Sequence, residues 1–469
     1  MNAFSSILEQ AMQLFPHDCS QKCIASVLAQ LVLHKALSDI WQTEQATAAK
    51  NGVASEQFLN DQWRNNHIVM TADSMFANYV AAAPENTGRV IQQTMQAFIT
   101  NQSTPVFAAA LQPDQFKHLH GLYKTDGAPN KLAAIVKVID QLTFVDWSLS
   151  LNLGELFLNA MTTAKLGPDA STVEAAKLMA MLARPSQGET VFDPNCGQGL
   201  LPFTCITQLA RTEFTGTLGI SGMEPDLDDL TVARVLFLLA NQPHARLKNA
   251  NALNTFITEP MQTISSQRNA EQADMVLTII PQNATPYAQT RNNAALIPVE
   301  QPQDSRIALF WLAMAKVRVN GRMVVLMPVS AMLGIDGEAM QRYLIQQGYL
   351  ELAAVLPATP AAITAANSPL QEYVLLLISP KQTHKNVAMI GPGWGTPLAN
   401  GLSAKGPSAK CSPTHFPLRN DQAPYQTRDI FIAYRAWLKQ KADPHLRIVS
   451  NTELAVQGYQ IHPMRWKPY

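Results

Sequence analysis

The stretch at residues 190–201, TVFDPNCGQGLL, constrains the fold of this chain more than any other. A short apolar run ends at Asp193 and Pro194, and a glycine turn then leads into a periodic apolar segment at 200–209. This order predicts a strand, a tight turn and a helix. Because glycine accepts positive φ and has no Cβ, such a turn lets the backbone approach a nucleotide-like ligand closely, although similar turns also serve only to pack a helix on a sheet.

A second predicted strand, Leu218 to Met223, ends in the acidic residue Glu224, and a helix is expected over about 228–241. A carboxylate at the tip of the second strand is well placed to accept hydrogen bonds from both hydroxyls of a ribose. The first turn lacks the full GxGxxG spacing, so a dinucleotide is less favoured than another nucleotide-like cofactor.

Residues 193–199, DPNCGQG, resemble the D-P-x-C-G-S-G motif of the adenine-N6 DNA methyltransferases, specifically the modification (M) subunit of type I restriction-modification systems. The resemblance implies that the turn holds S-adenosylmethionine, with Asp193 at its methionine end and Glu224 on its ribose. The cofactor-binding residues that it implies are Asp193, Asn195, Gly197, Gly199, Glu224 and Asn251.

Asn251 follows the third predicted strand, at about 245–250. The family usually has G-D-x-L here, and its aspartate binds the adenine amino group of the cofactor. An amide keeps an acceptor oxygen but lacks the carboxylate's charge, so a weaker contact is expected. Just before the central turn, the family's G-x-F-Y-T-P-R loop is reduced to a single matching glycine, Gly167, and the helix after it is predicted to be capped at Thr172.

The fourth predicted strand, residues 273–282, aligns with the family's F-D-V-V-L-A-N-P-P-F, whose last four residues carry out the transfer. In this chain the matching positions are Ile279, Ile280, Pro281 and Gln282. A flipped adenine needs an aromatic ring to stack on and an oxygen acceptor for its amine. Isoleucine offers no acceptor and glutamine no comparable stacking face, so the resemblance implies a catalytic motif that is not intact. A displaced Pro286-Tyr287 pair is the one alternative in the sequence.

Alternating strands and helices with short turns after residue 150 predict an α/β fold with a doubly wound sheet. In the terms of the resemblance this is a doubly wound, Rossmann-like class I S-adenosylmethionine-dependent methyltransferase domain with an all-helical N-terminal domain. The expected domains are a helical one at 1–150, the Rossmann-like one at 151–380, and a Gly/Pro-rich excursion with a C-terminal helix packed on the core at 381–469. Residues 43–56 are expected to form a loop, and residues 381–416 an extended excursion.

The amino-acid composition limits the classes of protein to which this chain can belong. The formal net charge is zero and only 15% of residues are charged, so DNA binding must come from a local patch or a partner. Five cysteines without paired spacing, and no leader pattern, predict a reduced, cytoplasmic protein.

The apolar stretch 24–41 carries too many polar residues for a membrane span and is expected to form a core helix with one broad apolar face. His17, Cys19 and Cys23 lack a fourth ligand, so no metal site is expected.

Three hypotheses about the function remain. The favoured one is a methyltransferase-like pseudoenzyme that binds DNA or a partner, through a specificity-type subunit or other members of a DNA modification or phage-defence complex. The second is an active adenine-N6 DNA methyltransferase, and the third a small-molecule methyltransferase with the same sheet. A homodimer is left open.

Overall fold

A computed structural model describes residues 3–65, 68–103, 106–116, 131–145, 150–212, 217–254, 272–283, 302–356, 373–380, 383–391, 426–441, 443 and 445–463. Cys411 and the Pro286-Tyr287 pair lie outside these residues.

The regular elements among the described residues before the first strand are helical, as predicted. Two short 3-10 turns, Ala72–Ser74 and Pro84–Asn86, lie among them. The helices are α1 (Ala3–Gln13), α2 (Gln21–Lys50), α3 (Ser55–Arg64), α4 (Ala77–Ala81), α5 (Thr87–Thr100), α6 (Val106–Ala110), α7 (Lys131–Ile139), α8 (Ser150–Thr163) and α9 (Ala170–Ala183).

Helix α2 is the centre of this region and differs from its prediction in two ways. Its side chains are buried on nearly every side from Ile24 to Trp41, rather than on one face. It also continues to Lys50, so the loop predicted at 43–56 is wrong for residues 43–50, where Gln, Glu and Ala favour helix. The helix is long and apolar enough to meet the criteria for a membrane span, yet 83% of its most apolar window is buried within the protein, as in a core helix.

One mixed sheet follows, with strand order β3-β2-β1-β4-β5-β7-β6-β8-β9. The first five strands are parallel, and β7 runs antiparallel between β5 and β6. The strands are β1 (Thr190–Asp193), β2 (Gly219–Glu224), β3 (Arg246–Asn249), β4 (Ala273–Ile279), β5 (Val317–Pro328), β6 (Leu350–Val355), β7 (Tyr373–Ile378), β8 (Asn386–Ile390) and β9 (Leu446–Ser450).

Helices cover both faces of the sheet, which confirms the predicted doubly wound architecture. Along β4, Met275 and Leu277 enter the core shared with the N-terminal helices, while Val276 enters a second core on the other face. The remaining helices are α10 (Leu200–Arg211), α11 (Leu227–Leu239), α12 (Ser305–Ala315), α13 (Val329–Met332), α14 (Ile335–Gln346), α15 (Thr427–Leu438) and α16 (Asn451–Val456).

Two local expectations are corrected. The N-cap of α9 is Asp169, whose carboxylate accepts from the Thr172 amide at 2.9 Å, so the helix begins earlier than the predicted cap at Thr172. Strand β8 lies within the stretch predicted as an extended excursion and pairs with β6 in parallel. The strand has only five residues, and the Gly- and Pro-rich residues that follow it are typical of a loop, so the sequence pattern did not indicate a strand here.

Helix α15 is attached to the sheet by a buried carboxylate. The Tyr434 hydroxyl donates to Glu351 Oε1 at 2.6 Å, and the Ser379 hydroxyl donates to Glu351 Oε2 at 3.0 Å. Both oxygens of this buried group are therefore satisfied from elements that are distant in sequence.

We predict that Tyr434→Phe lowers the free energy of unfolding by about 1–3 kcal/mol, because the substitution leaves a buried carboxylate short of a donor. Urea denaturation measures the change. Tyr459→Phe is the matched control, since among the described residues the Tyr459 hydroxyl accepts only from the exposed Gln346 side-chain amide, at 3.3 Å. Equal effects of the two substitutions would show that the Glu351 contact does not stabilise the fold.

Candidate functional site

The turn after β1 contains two glycines with positive φ that are needed for different reasons. Gly199 has φ +84°, and a Cβ there would lie 2.9 Å from the Phe237 ring, so packing against α11 excludes a side chain. Gly197 has φ +50°, and a Cβ there would meet no atom of the described residues within 4 Å. Gly199 therefore serves the fold, while the backbone at Gly197 faces open space in which a ligand can approach it.

Glu224, at the end of β2, joins this turn to the start of α11. Its Oε2 accepts from the Gly197 amide at 2.9 Å, and its Oε1 accepts from the Asp226 amide at 2.9 Å. The side chain is 6% exposed, and burial raises its pKa. Each carboxylate oxygen has a second lone pair, so the group can still accept from a ligand hydroxyl.

Asp193, at the end of β1, is 1% exposed and accepts from the Asn195 amide at 3.0 Å. Burial raises the pKa of its carboxyl to about 7, and the negative charge of Glu224 adds to the rise. Within the described part of the chain, no lysine or arginine forms an ion pair with Asp193 or Glu224. Two neighbouring acids without an ion-pairing cation form a site suited to a positively charged ligand.

Thr278 is a site residue that the sequence did not indicate. It is completely buried in β4, and its hydroxyl oxygen has no hydrogen-bond partner among the described residues. The same hydroxyl lies close enough to the Asp193 carboxyl to oppose the rise of its pKa. A hydroxyl in an otherwise apolar strand was the available signal, and its contact with β1 could not be read from spacing.

Asn251 lies just after β3, beside the other residues of this edge. Its Oδ1 accepts from the Leu253 amide at 3.0 Å and so starts a helical turn. The neighbouring Ala250 amide donates to the Glu224 carbonyl at 3.2 Å. The structure thus brings the loop after β3 against the end of β2 and gives the Asn251 oxygen a backbone partner of its own.

The segment predicted to replace the transfer motif begins at the end of β4. Parallel pairing of β1 with β4 places Ile279 at the same edge of the sheet as Asp193. Ile280 is fully buried, and its amide donates to the Leu326 carbonyl at 3.0 Å. Pro281 and Gln282 are half-buried.

Arg306 fixes the end of that segment. Its guanidinium donates to the Gln282 carbonyl at 3.3 Å and to the Ser330 hydroxyl at 2.8 Å, and it pairs with Asp304 at 2.6 Å. The backbone after β4 is therefore held by α12. The side chains at 279–281 offer no acceptor, and Gln282 offers an amide without an aromatic ring.

Metal binding has no support in the part of the chain that the structure describes, because no group of three or more His, Cys, Asp or Glu side chains converges there. Cys19 and Cys23 are half-buried at the start of α2.

Comparison with known proteins agrees with this geometry. Residues 158–391, which run from within α8 to the end of β8, match the family model described as N-6 DNA Methylase. A search of curated proteins finds no match.

Two solved structures cover nearly the whole chain. The methyltransferase subunit of a type I restriction-modification system from Streptococcus thermophilus has a TM-score of 0.73 at 16% identity, covering 98% of this chain and 98% of that one. A modification subunit of a putative type I restriction enzyme from Vibrio vulnificus YJ016 has a TM-score of 0.62 at 13% identity, covering 96% of this chain and 93% of that one. These likenesses establish the fold, a Rossmann-like class I methyltransferase sheet with an N-terminal helical region.

The raised pKa of Asp193 makes stability depend on pH. The unfolded carboxyl has a pKa near 3.8 and the folded one near 7, so between these values the native state holds a proton that the unfolded chain has released. The stabilisation is full below the unfolded pKa and is lost as pH rises towards 7. We predict that Asp193→Asn, which does not titrate, gains stability relative to the wild type over this range, by at most about 1.4 kcal/mol per pH unit.

Urea unfolding at a series of pH values tests this prediction, with Asp169→Asn as control. Burial of the Asp169 carboxyl is outweighed by hydrogen bonds from Ser171 and Thr172, so its pKa is lowered and the group stays ionised in both states near neutral pH. Its difference from the wild type should stay constant from pH 5 to pH 7. A flat profile for Asp193→Asn as well would contradict the protonation of Asp193.

Proposed function

This chain belongs to the N-6 DNA methylase family, whose model matches residues 158–391, and we propose that it is a DNA adenine-N6 methyltransferase-like protein of the type I modification-subunit kind. In this proposal the protein binds S-adenosylmethionine but does not transfer its methyl group. The observation that carries the proposal is the contrast between two ends of one sheet edge. One end, which we call the cofactor side, has the acids Asp193 and Glu224 beside the Gly197–Gly199 turn. At the other end, the strand that should hold the target base ends in aliphatic side chains.

The residues on the cofactor side fit a cationic nucleoside. Among the described residues, no cation forms an ion pair with Asp193 or Glu224, and none of these residues fills the space in front of Gly197. The buried Thr278 hydroxyl provides a further polar group next to Asp193. We assign the amino-acid end of S-adenosylmethionine to Asp193 and Thr278, and its ribose hydroxyls to Glu224. Bound there, the cofactor supplies an electrophilic methyl group.

The Asn251 oxygen already accepts from the Leu253 amide at 3.0 Å, so a contact with the adenine amine of the cofactor would be shared with that bond. The neutral amide makes a weaker contact than a carboxylate would. The cofactor affinity we expect is therefore modest.

Transfer requires that the target amine be held with its lone pair towards the methyl group. Positioning of this kind is worth up to about 7–11 kcal/mol. Ile279 cannot accept the amine proton, and Gln282 cannot stack on the base, so these positions lack the groups that would distinguish the transition state from the bound base. The fold of the strand end is nevertheless retained, because backbone contacts to Leu326 and Arg306 hold it.

The zero net charge of the chain favours contact with DNA through a partner. We therefore propose that it acts in the cytoplasm with a specificity-type subunit or other complex members, as a component of a DNA modification or phage-defence system. The long helical region before the sheet argues against a small-molecule methyltransferase, whose catalytic domain would not need it.

We predict that isothermal calorimetry detects S-adenosylmethionine binding to the purified protein. Glu224→Ala should weaken it roughly tenfold or more, because a hydrogen bond to a charged group is worth about 1.5–3 kcal/mol. Thr278→Val, which keeps the side-chain shape, should weaken it several-fold. Glu174→Ala, on the exposed surface of α9, is the control and should bind as the wild type does. No heat with the wild type, or equal binding by all four proteins, would remove the cofactor assignment.

We also predict that the protein adds no N6-methyladenine to DNA, even with its native partners present. Sequencing that reads N6-methyladenine should show the same methylated sites in native-host cells that carry the wild type or Glu224→Ala. A set of sites that is lost with Glu224→Ala would show that transfer occurs. If those sites were also lost with Tyr287→Ala, the displaced Pro286-Tyr287 pair would be the target-binding group.

A further inference from the structure

Lys22, in the first turn of α2, contacts the start of α11 across more than 200 positions of sequence. Its Nζ lies 2.9 Å from Asp226 Oδ2 and 2.5 Å from Asp229 Oδ2. Asp226 is the N-cap of α11, and its side chain also accepts from the amides of Asp228 and Asp229. One lysine from the helical region thus holds both carboxylates at the helix start.

Each of these carboxylates is one step from the cofactor side of the site. The Asp226 amide donates to Glu224 Oε1 at 2.9 Å, so the position of Asp226 sets the position of Glu224. Asp229 Oδ1 accepts from the side-chain Nε2 of Gln198 at 3.1 Å, and Gln198 is the residue between Gly197 and Gly199. Lys22 is therefore joined to the ribose carboxylate by one path and to the glycine turn by another.

The charge distribution gives this lysine a specific role. Four acids lie within six residues here: Glu224, Asp226, Asp228 and Asp229. Among the described residues, Lys22 is the cation that forms ion pairs with this group, while Asp228 receives the neutral Gln115 amide at 2.9 Å. Without Lys22, the mutual repulsion of the acids would act against the arrangement that holds Glu224 in place.

Further hydrogen bonds attach the same part of α2 to α11. Close to Lys22, the Gln115 side chain accepts from the Ser26 hydroxyl at 3.2 Å and from the Gln30 amide at 2.5 Å. Gln115 and the neighbouring Gln112, which donates to the Thr231 hydroxyl, attach the same part of α2 to α11. Helix α2 is thus attached to α11, close to Lys22, by a set of hydrogen-bonded polar side chains: Ser26, Gln30, Gln112, Gln115 and Thr231.

We propose that Lys22 is a positioning residue of the cofactor side: through Asp226 and Asp229 it fixes Glu224 and the Gly197–Gly199 turn, so that the helical N-terminal region sets the affinity of the Rossmann-like domain for its nucleoside ligand. The identity of that ligand rests on the proposed function. The ordering of the turn by Lys22 does not depend on it.

The test compares the full-length wild type with Lys22→Met and Lys22→Arg, and uses Lys177→Met as matched control. Lys177 pairs at 2.7 Å with Glu174, three residues earlier on α9, and does not contact this network. Hydrogen exchange is followed by mass spectrometry without ligand. We expect amide exchange in residues 195–199 to rise roughly three- to tenfold in Lys22→Met, with β5 unchanged. Lys22→Arg should restore the wild-type rate, and Lys177→Met should match it.

Calorimetry with S-adenosylmethionine is the second measurement, and the affinity of Lys22→Met should fall by a similar factor. Unchanged exchange at 195–199 in Lys22→Met would overturn the proposal, and so would a rise that extends equally to β5, since that would reflect general destabilisation. A wild type that gives no heat with S-adenosylmethionine, together with a localised rise in exchange, would refute the assigned cofactor and leave the role of Lys22 standing.

Discussion

The carboxylate of Glu224 is the contact on which the candidate site depends. It accepts from two backbone amides, Gly197 on one side and Asp226 on the other, and so joins the turn after β1 to the first residue before α11. Both amides belong to segments that lack helical or strand partners at those positions, and burial of the carboxylate makes each bond necessary. The shape of the ligand-facing backbone at Gly197 follows from this one side chain.

Periodicity and turn chemistry were enough to predict much of the fold. The β1-turn-α10 unit, the acid at the end of β2 and the doubly wound sheet all follow from short local patterns that the structure confirms. Local patterns failed where tertiary burial decided the outcome. Helix α2 is surrounded by other elements and continues past its polar segment, and β8 forms because β6 offers it a partner.

Within the site, the sequence identified residues but not the reason for each. It could not separate Gly197, which faces open space, from Gly199, which packs against Phe237, because both stand in the same motif. It also did not identify Thr278 or Lys22 as residues of the site. Their partners lie on β1 and α11, about 85 and 200 residues away, and no spacing rule connects such positions.

The two ends of the sheet edge differ in how far the fold depends on their side chains. On the cofactor side, Glu224 and Gly199 shape the turn itself, so changing them alters the backbone. At the end of β4, the backbone is held by ladder bonds to its neighbours, by the Leu326 carbonyl and by Arg306, none of which uses the side chains at 279–282. Aliphatic residues can therefore replace an acceptor and a ring there without loss of the fold. This division of physical roles permits the residues after β4 to change while the acids and glycines after β1 and β2 are kept.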